Sequence, residues 1–513
     1  MLQALKSLVV ILAVTVPLFV LARLPVSALG AMTRADYRRR SLLWLLLTVT
    51  AFLANSIWIY VAVAAVLIWY ARSRDSNPLG LYLFLLMAIP PISAEIGALG
   101  LVNFLFAIEH TRLLALFVLL PVAVGLALRK DSAPFGHITA DWCLLGYLAL
   151  MLVIQLTVDT VTSSLRVSFY AFLGAFLPYY VASRLVRDQD SFRDTLLAFV
   201  VGALPLAMVG MFEFVRHWLL YEPLADRWGA TWGLGRYLDR GDSLRALASS
   251  GHPIVLGYLM AVALGVALFV RRAIPAKAWL AGMFILLGGL VASLSRGPWV
   301  GAVAMLGVFV LTGRRPWQRI ALPALLGVLL LPILVVFGVG QKYLDFLPFI
   351  GSIDAQNVSY RARLLQISLE VIADSPWLGN YHFLDDMRMQ TLMQGDQLVD
   401  MVNSYLVIAL HSGVLGLALV LGFFIGILRG IWREMQHLKD RDSEEYLLGR
   451  VLLATLSGIL LIIFTTSSIG VISHVYWTLA GLGAAYVRML ALRRRTVPPL
   501  ADLVLPPLKS RFR

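Results

Sequence analysis

The sequence contains a single cysteine, Cys143, and few charged residues, which make up 14% of its 513 positions. One cysteine can form neither a disulfide framework nor a cysteine-based metal site. Hydrophobic residues account for 60% of the chain, and the mean hydropathy is +0.82. Long apolar stretches approach the roughly 20 residues that cross a bilayer. The sequence therefore predicts an all-α fold, a polytopic bundle of transmembrane helices.

The sequence also lacks the signatures of several enzyme classes. It contains no nucleotide-sugar domain, no glycine-rich phosphate loop and no cluster of metal ligands. We therefore expect no cofactor and no metal site. The first apolar run, residues 7–21, has a basic flank but no small-residue cleavage site before Arg23, which predicts a retained span.

The net charge of +14 is distributed in a way that argues against nucleic-acid binding. Basic residues fall in short connections between apolar runs, and the positive-inside rule assigns such connections to the cytoplasmic side. They occur at Arg38–Arg40, Arg72 and Arg74, Arg129–Lys130, Arg184 and Arg187, Arg271–Arg272, Arg314–Arg315 and Arg493–Arg495. The charge sets the topology, so we expect a lipid bilayer and no nucleic acid as the partner.

The apolar runs predict about fourteen or fifteen membrane crossings. They lie near residues 7–22, 41–70, 79–98, 111–128, 140–160, 167–186, 194–215, 253–270, 278–295, 298–313, 320–339, 404–428, 447–466 and 470–490. The run at 41–70 is either one tilted helix or a hairpin that breaks at Asn55-Ser56. Keeping the basic residues on both sides of it in the cytoplasm requires the hairpin.

Two long connections fall on the outer side of this topology. The first, Arg216 to His252, carries five arginines, and the second, residues 340–403, holds eight acidic residues against four basic ones. Within the second, apolar residues between Tyr360 and Ala373 predict a short amphipathic helix that ends at Asp374-Ser375-Pro376. Long loops with helices of their own are usually functional, so this loop is a candidate lid or binding surface.

An arginine lies between two apolar runs in the tripeptide Ser295-Arg296-Gly297. Arginine at bilayer depth costs roughly 2.5 to 3.5 kcal/mol on insertion scales, so it usually faces a protein interior or an anionic ligand. Gly297-Pro298 predicts a tight reversal after it, which would put Arg296 at a membrane face, pointing into the protein. The alternative is an interfacial arginine that anchors a helix end.

Four stretches, in order, resemble the O-antigen ligase and Wzy-type polysaccharide polymerase superfamily of membrane glycosyltransferases. Arg245 to Pro253 is similar to the family's Arg-x-x-Gly-x-x-x-(His/Asn)-Pro element, and Ser295-Arg296-Gly297 is similar to its Ser-Arg-Gly turn. Arg361 to Gly379 resembles Arg-x(14)-Pro-x-x-Gly in the large periplasmic loop. Asn403 to Gly416 resembles His-Asn-Ser-Tyr-Leu-x(6)-Gly-x-x-Gly. The stretches cover about a third of the chain.

The sequence departs from the family pattern at four positions. Val402 stands where the family commonly has the histidine that ligases need, and His411 stands at the usual acidic position nine residues on. Ala248 replaces an expected glycine, and Tyr381 replaces a glycine that often follows Gly379. The histidine-dependent step of ligases therefore does not transfer directly to this chain.

The chemistry implied by the resemblance requires two kinds of group. Guanidinium groups stabilise a leaving pyrophosphate, and Arg245, Arg296 and Arg361 are the candidates. A general base takes a proton from the acceptor hydroxyl as it attacks the anomeric carbon, with inversion. His252 and Asp400 are the main candidates, and Asp385 and Asp386 are weaker ones. Ser295, Gly297, Asn403 and Tyr405 are candidate positioning residues.

Each candidate also has a structural interpretation. Arg245 and Arg361 could be solvated loop charges, and His252, which precedes a proline at a helix entrance, could be a helix cap. Asp400 could hold the end of the loop against an arginine. Asn403 and Tyr405 could cap and position the span at 404–428.

The leading hypothesis is a polymerase in the bacterial inner (cytoplasmic) membrane. It would extend an exopolysaccharide or O-antigen chain from an undecaprenyl-pyrophosphate-linked glycan without a metal ion. The alternatives are a ligase that transfers finished glycan to a lipid A core or protein, a lipid-linked oligosaccharide transporter, and a structural subunit. Other polysaccharide assembly and export proteins are candidate partners.

The chain is expected to divide into four regions. Residues 1–240 form an N-terminal transmembrane region, and residues 241–420 form a ligase- or polymerase-like core that includes the outer loop 340–403. Residues 421–495 form a C-terminal transmembrane hairpin. Residues 496–513, which contain two proline pairs, form a cytoplasmic tail.

Overall fold

The computed structural model describes residues 2–97, 104–130, 132–229, 239–240, 243–314, 355–393 and 399–496. In these residues the predicted class is confirmed, because the chain is an all-α polytopic helical protein with little strand. Nine of the described helices are long and apolar enough to cross a membrane, and three shorter apolar helices accompany them. The predicted count of about fourteen crossings is not confirmed. The predicted span at 320–339 lies outside the described residues.

The N-terminal half contains eight main helices and one short hairpin. These are α1 (Leu2–Ala28), α2 (Arg34–Leu53), α3 (Ile57–Arg72), α4 (Pro78–Leu85), β1 (Ala94–Gly97), β2 (Phe104–Ile108), α5 (His110–Leu128), α6 (Thr139–Val158), α7 (Val161–Leu185) and α8 (Gln189–Arg216). The strands β1 and β2 pair in an antiparallel manner. Helices α5 and α7 each contain a π-helical turn, at Ala115–Leu119 and Phe172–Phe176.

The second half begins with α9 (Glu222–Arg227) and a minimal antiparallel pair, β3 (Asp239–Arg240) and β4 (Ser243–Leu244). The helices that follow are α10 (Pro253–Val270), α11 (Ala276–Ala292), α12 (Arg296–Leu311), α13 (Ala355–Asp374), α14 (Met387–Gln390), α15 (Ser404–His437), α16 (Glu444–Phe464) and α17 (Ile472–Thr496). Helix α15 runs through the predicted domain boundary at residue 420. The division into four regions stays a prediction, and the tail from residue 497 onward is outside the described residues.

The apolar run at 41–70 is a helical hairpin, as the positive-inside argument favoured. Helix α2 ends at Leu53 and α3 begins at Ile57. The Oγ atom of Ser56 caps α3 by accepting a hydrogen bond from the Trp58 amide. The polar pair Asn55-Ser56 therefore marks the turn, because it supplies the cap that the second helix needs.

The predicted span at 79–98 is wrong as a single helix. Helix α4 stops at Leu85, and the chain continues through Pro90-Pro91 into the extended strand β1. Two successive prolines cannot donate helical hydrogen bonds, and each disfavours a helical residue before it. All residues from Leu79 to Ile89 are buried, so protein surrounds this irregular backbone, as membrane depth requires.

Buried ion pairs join several of the predicted cytoplasmic connections. The Arg40 guanidinium, fully buried, donates from Nε to Asp75 Oδ2 over 3.0 Å and from Nη1 to Asp194 Oδ1 over 2.9 Å. Arg184 Nη2 donates to Asp141 Oδ2 over 2.8 Å. Losing one partner of such a pair would leave an uncompensated buried charge, so these contacts tie α2 to α8 and α7 to α6. These basic residues serve the fold.

Candidate functional site

Arg245 lies in a segment that a buried glutamate holds in shape. Glu213, near the end of α8, accepts hydrogen bonds from the backbone amides of Leu247 and Ala248 at 2.9 and 2.7 Å. It also accepts the Leu220 amide at 2.9 Å. Ala248 has a positive φ of +48°, a conformation that glycine adopts more easily. This conformation gives a physical reason for the glycine found here in the resembling family.

The Arg245 side chain reaches the turn before Arg296. Its Nη2 donates to Ser295 Oγ over 2.9 Å, and its Nε lies 3.4 Å from the Ser293 carbonyl oxygen. The reversal itself occurs at Ser293–Ser295, where Leu294 has a φ of +45°, so the predicted reversal at Gly297-Pro298 is wrong. Pro298 instead occupies the first turn of α12, where a missing N–H breaks no helical hydrogen bond.

Glycines bring the start of α12 against the end of α16. A Cβ atom at Gly297 would lie 2.5 Å from Thr465 Oγ1, and a Cβ at Gly301 would overlap Ile462. Small residues four apart allow such close helix approach within a membrane. Gly297 therefore has a packing role, because it brings the first turn of α12, which begins at the half-buried Arg296, against Thr465.

Arg361 reaches Thr465 from the outer loop. It lies on α13, which confirms the predicted helix over Tyr360–Ala373, and its Nη2 is 3.5 Å from the Thr465 carbonyl oxygen. The other face of α13 packs through Leu364, Ile367 and Val371 into a small separate core. The three candidate arginines thus lie on neighbouring segments: Arg245 contacts Ser295, Gly297 next to Arg296 packs on Thr465, and Arg361 contacts the Thr465 carbonyl.

The Pro376–Asn380 turn docks into a break in α15. Gly413 has φ +64° and ψ −169°, so α15 is kinked there. The Leu410 carbonyl accepts from the Asn380 amide at 2.7 Å, and the Val414 amide donates to the Pro376 carbonyl at 2.8 Å. In an unbroken helix these two groups would pair with each other. A Cβ at Gly379 or Gly413 would overlap the facing backbone, so the spaced glycines of both motifs serve one contact.

Asn403, Ser404 and Tyr405 position the start of α15. Asn403 Oδ1 accepts from the amides of Tyr405 and Leu406, which confirms its expected capping geometry. Ser404 Oγ donates to the Thr466 carbonyl at 2.8 Å, and the Tyr405 hydroxyl donates to the Leu460 carbonyl at 2.9 Å. These contacts fix the helix beside the Thr465 loop that Arg361 also contacts.

A cavity of about 660 Å³ opens beside this set of contacts. Its polar lining includes His252, Asp400, Ser404, His411, Ser467 and Ser468, and Tyr147 and Tyr476 also line it. Its apolar wall is contributed by α6, α7, α15 and α17 and includes Leu148, Ala171, Ala175, Val420 and Trp477. Such a cavity can hold a ligand with a polar head and an apolar chain.

Two predicted base candidates line the cavity. Desolvation raises the pKa of Asp400, although the nearby cations Arg361 and Arg245 act in the opposite direction. Burial lowers the pKa of His252 to about 4, and Arg245 adds to this effect, so the imidazole is neutral at pH 7. His252 Nδ1 accepts the Ile254 amide at 3.1 Å, so its predicted capping geometry is present.

The weaker candidates lie elsewhere. Asp386 caps the short helix α14 and pairs with Arg388, whose side-chain hydrogen bond lowers the pKa of the Asp386 carboxyl. Neither Asp385 nor Asp386 lines the cavity described above. Val402 packs against the small core around Leu364, so this position serves the outer loop.

Sequence reasoning missed Glu213 and Thr465. Glu213 had a usable signal, because a carboxylate within an otherwise apolar span is rarely incidental. Thr465 had none, since its contribution is a backbone carbonyl and a contact with a glycine on another helix. In the part of the chain that the structure describes, three or more His, Cys, Asp or Glu side chains do not cluster as metal ligands would.

Comparison with known proteins identifies one relationship. The sequence model of the O-antigen ligase family matches residues 281–421, a stretch that includes Arg296, Arg361, Asp400 and the Gly413 kink. Among curated proteins, none matches the sequence. The family match covers a little over a quarter of the 513 residues. It supports the assignment of this multi-pass membrane protein to the O-antigen ligase and Wzy-type superfamily.

Proposed function

We propose that the protein transfers a glycan from a polyprenyl-pyrophosphate lipid to an acceptor sugar hydroxyl at the outer face of the bacterial inner membrane. One observation carries the proposal. Three arginine-bearing segments adjoin one another beside a cavity with a polar lining and an apolar wall: Arg245 contacts Ser295, the neighbouring Gly297 packs on Thr465, and Arg361 contacts the Thr465 carbonyl. Arginines match the charge of a pyrophosphate, and the apolar wall suits a polyprenyl chain.

The leaving group explains the need for several guanidinium groups. When the bond between the anomeric carbon and the phosphate oxygen breaks, negative charge develops on the pyrophosphate. Arg245, Arg296 and Arg361 would stabilise that charge without being able to give up a proton to it. Ser295, Gly297, Asn403 and Tyr405 would hold the segments that carry them.

The acceptor hydroxyl must lose a proton during attack, and the cavity wall offers titratable groups for this step. The sequence leaves Asp400 and His252 open as candidates, and both line the cavity, with Asp400 in electrostatic contact with Arg361 and Arg245. His252 suits donation to an oxygen atom better than proton abstraction, because its Nδ1 is engaged by a backbone amide. Attack opposite the pyrophosphate would invert the anomeric centre.

Polymerisation is the favoured form of this transfer, and ligation to a lipid A core or protein is the second candidate. The O-antigen ligase family match favours glycan transfer and is compatible with either form. Val402, in place of the family histidine, favours the polymerase. A transporter is less favoured, because the motif residues gather at one end of the bundle, whereas transporter sites lie near the bilayer midplane.

The experiment uses the full chain in membranes or detergent with a defined lipid-linked repeat unit, with and without a core acceptor. We expect Arg361→Gln to lower kcat by about 10²- to 10³-fold, the range for loss of one transition-state donor. Arg363→Gln is the matched control, because Arg363 is exposed on the same helix and contacts only the Thr391 hydroxyl among described residues, at 3.4 Å.

The outcomes separate the candidates. Lengthening of the donor glycan without a second acceptor supports polymerisation, whereas product that forms only with the core acceptor identifies a ligase. Activity that persists in EDTA would agree with a metal-independent reaction. Absence of glycan transfer, with movement of the lipid-linked glycan across the bilayer, would refute the enzyme and favour a transporter.

A further inference from the structure

His411 is a second histidine on the cavity wall, and its hydrogen bonding defines its tautomer. The residue lies two turns into α15, about 10 Å along the axis from Ser404. Its Nδ1 is 3.0 Å from the Val407 carbonyl oxygen. A carbonyl oxygen only accepts, so Nδ1 must carry the proton and Nε2 must hold the lone pair. Within the described part of the chain, no hydrogen bond to Nε2 is formed.

His252, on the same cavity, has the opposite arrangement. Its Nδ1 accepts a hydrogen bond from the Ile254 amide, so the neutral ring carries its proton on Nε2. One histidine therefore offers the cavity an N–H donor and the other a lone pair. A donor suits an oxygen of the sugar or pyrophosphate, and a lone pair suits a hydroxyl group.

The surroundings of His411 hold the ring in place. The Phe383 ring packs against it edge to face with 4.8 Å between centroids, and the Tyr381 ring lies 5.3 Å away. The titratable groups near it are Tyr381 and His382 from the outer loop, and the cavity lining adds Asp400, His252, Tyr147 and Tyr476. A general base requires a fixed position and a defined lone pair.

We propose that His411 is the general base that takes the proton of the acceptor hydroxyl, a role that rests on the proposed glycan transfer. The hydroxyl proton moves to Nε2, and the oxygen's electron pair forms the new bond to the anomeric carbon. The bond from that carbon to the phosphate oxygen breaks, and its electron pair leaves with the polyprenyl pyrophosphate. The imidazolium then returns its proton to water. Asp400, which interacts electrostatically with Arg361 and Arg245, takes no proton in this step.

This assignment accounts for the missing base. Val402 occupies the family's histidine position, but its side chain belongs to the small outer core. His411, nine residues later, supplies an imidazole inside the cavity. The base function would thus reside two turns into α15, closer to the apolar wall that would hold the lipid chain.

The test compares His411→Gln with His382→Gln in the full chain, assayed with a lipid-linked donor and a sugar acceptor. His382 is the matched control, because it is an exposed histidine on the outer loop and does not line the cavity. We expect kcat of His411→Gln to fall by about 10²- to 10⁴-fold, with the KM for the donor little changed. His382→Gln should retain its kcat, and Asp400→Asn should lose less than His411→Gln.

A second variant separates chemistry from folding. Imidazole added to His411→Ala should restore part of the lost kcat, which a purely structural role would not allow. If His411→Gln keeps kcat within about threefold of an active wild type, or imidazole restores nothing, the base assignment is overturned and the proposed function stands. If the wild-type chain transfers no glycan, the proposed function fails, and this role fails with it.

Discussion

Gly413 offers the most direct test of how the outer loop is joined to the membrane helices. Its φ of +64° and ψ of −169° lie in a region that is essentially restricted to glycine. An alanine there would cost about 1–3 kcal/mol in backbone strain. Its Cβ would also overlap the carbonyl group of Trp377, which is backbone and cannot rotate away. The Pro376–Asn380 turn would therefore have to leave the kink.

Leaving the kink breaks three hydrogen bonds: Asn380 N–H to the Leu410 carbonyl, Val414 N–H to the Pro376 carbonyl and, at 3.4 Å, Leu415 N–H to the Trp377 carbonyl. Each contributes about 0.5–1.5 kcal/mol net. Together with the strain, Gly413→Ala should weaken docking by roughly 2.5–7.5 kcal/mol. A free-energy change of about 2 kcal/mol already corresponds to a roughly 30-fold change in the docking equilibrium constant.

Hydrogen–deuterium exchange of the full chain in detergent measures this change directly. In Gly413→Ala we expect the amide of Asn380 to exchange at least about 30-fold faster, with loss of glycan transfer. Gly426→Ala is the control, because Gly426 lies on the same helix and a Cβ there meets no atom within 4 Å. Unchanged protection of the Asn380 amide in Gly413→Ala would refute the docking argument.

Two further predictions concern the arginine-bearing segments. In Gly297→Ala the new Cβ displaces Thr465 Oγ1 from its 2.9 Å hydrogen bond to the Ile462 carbonyl. We expect the free energy of unfolding in detergent to fall by about 1 kcal/mol and kcat to decrease. Gly307→Ala, on the same helix with open space around it, should do neither, and equal behaviour of the two variants would contradict the packing role. Glu213→Gln places an NH₂ donor against the backbone amides of the Arg245 segment. It should lower the free energy of unfolding by about 1–3 kcal/mol and the rate of glycan transfer. An unchanged free energy of unfolding would disprove the support that Glu213 gives to this segment.

The candidate site was predictable where its chemistry is local to the sequence. One stretch of chain reveals the insertion cost of an arginine between apolar runs. It also reveals the capping preference of an asparagine at a helix start or of a histidine before a proline. The exact place of the reversal near Arg296 was not predictable, because the turn depends on Leu294 adopting a positive φ. The prediction of one helix over 79–98 was also wrong. Hydropathy indicates that a segment lies within the membrane, but it does not report whether Pro90-Pro91 interrupts the helix.

By itself the sequence determined the membrane class, the helical fold and the order of the motifs, because apolar length and fixed charges act on each segment separately. Only the tertiary structure decided which groups share a cavity. Arg361 meets Thr465 more than 100 residues later, and the turn at Pro376 satisfies backbone groups on either side of Gly413. The tautomers of His252 and His411 are also tertiary facts, because each depends on which backbone atom the packed ring can reach.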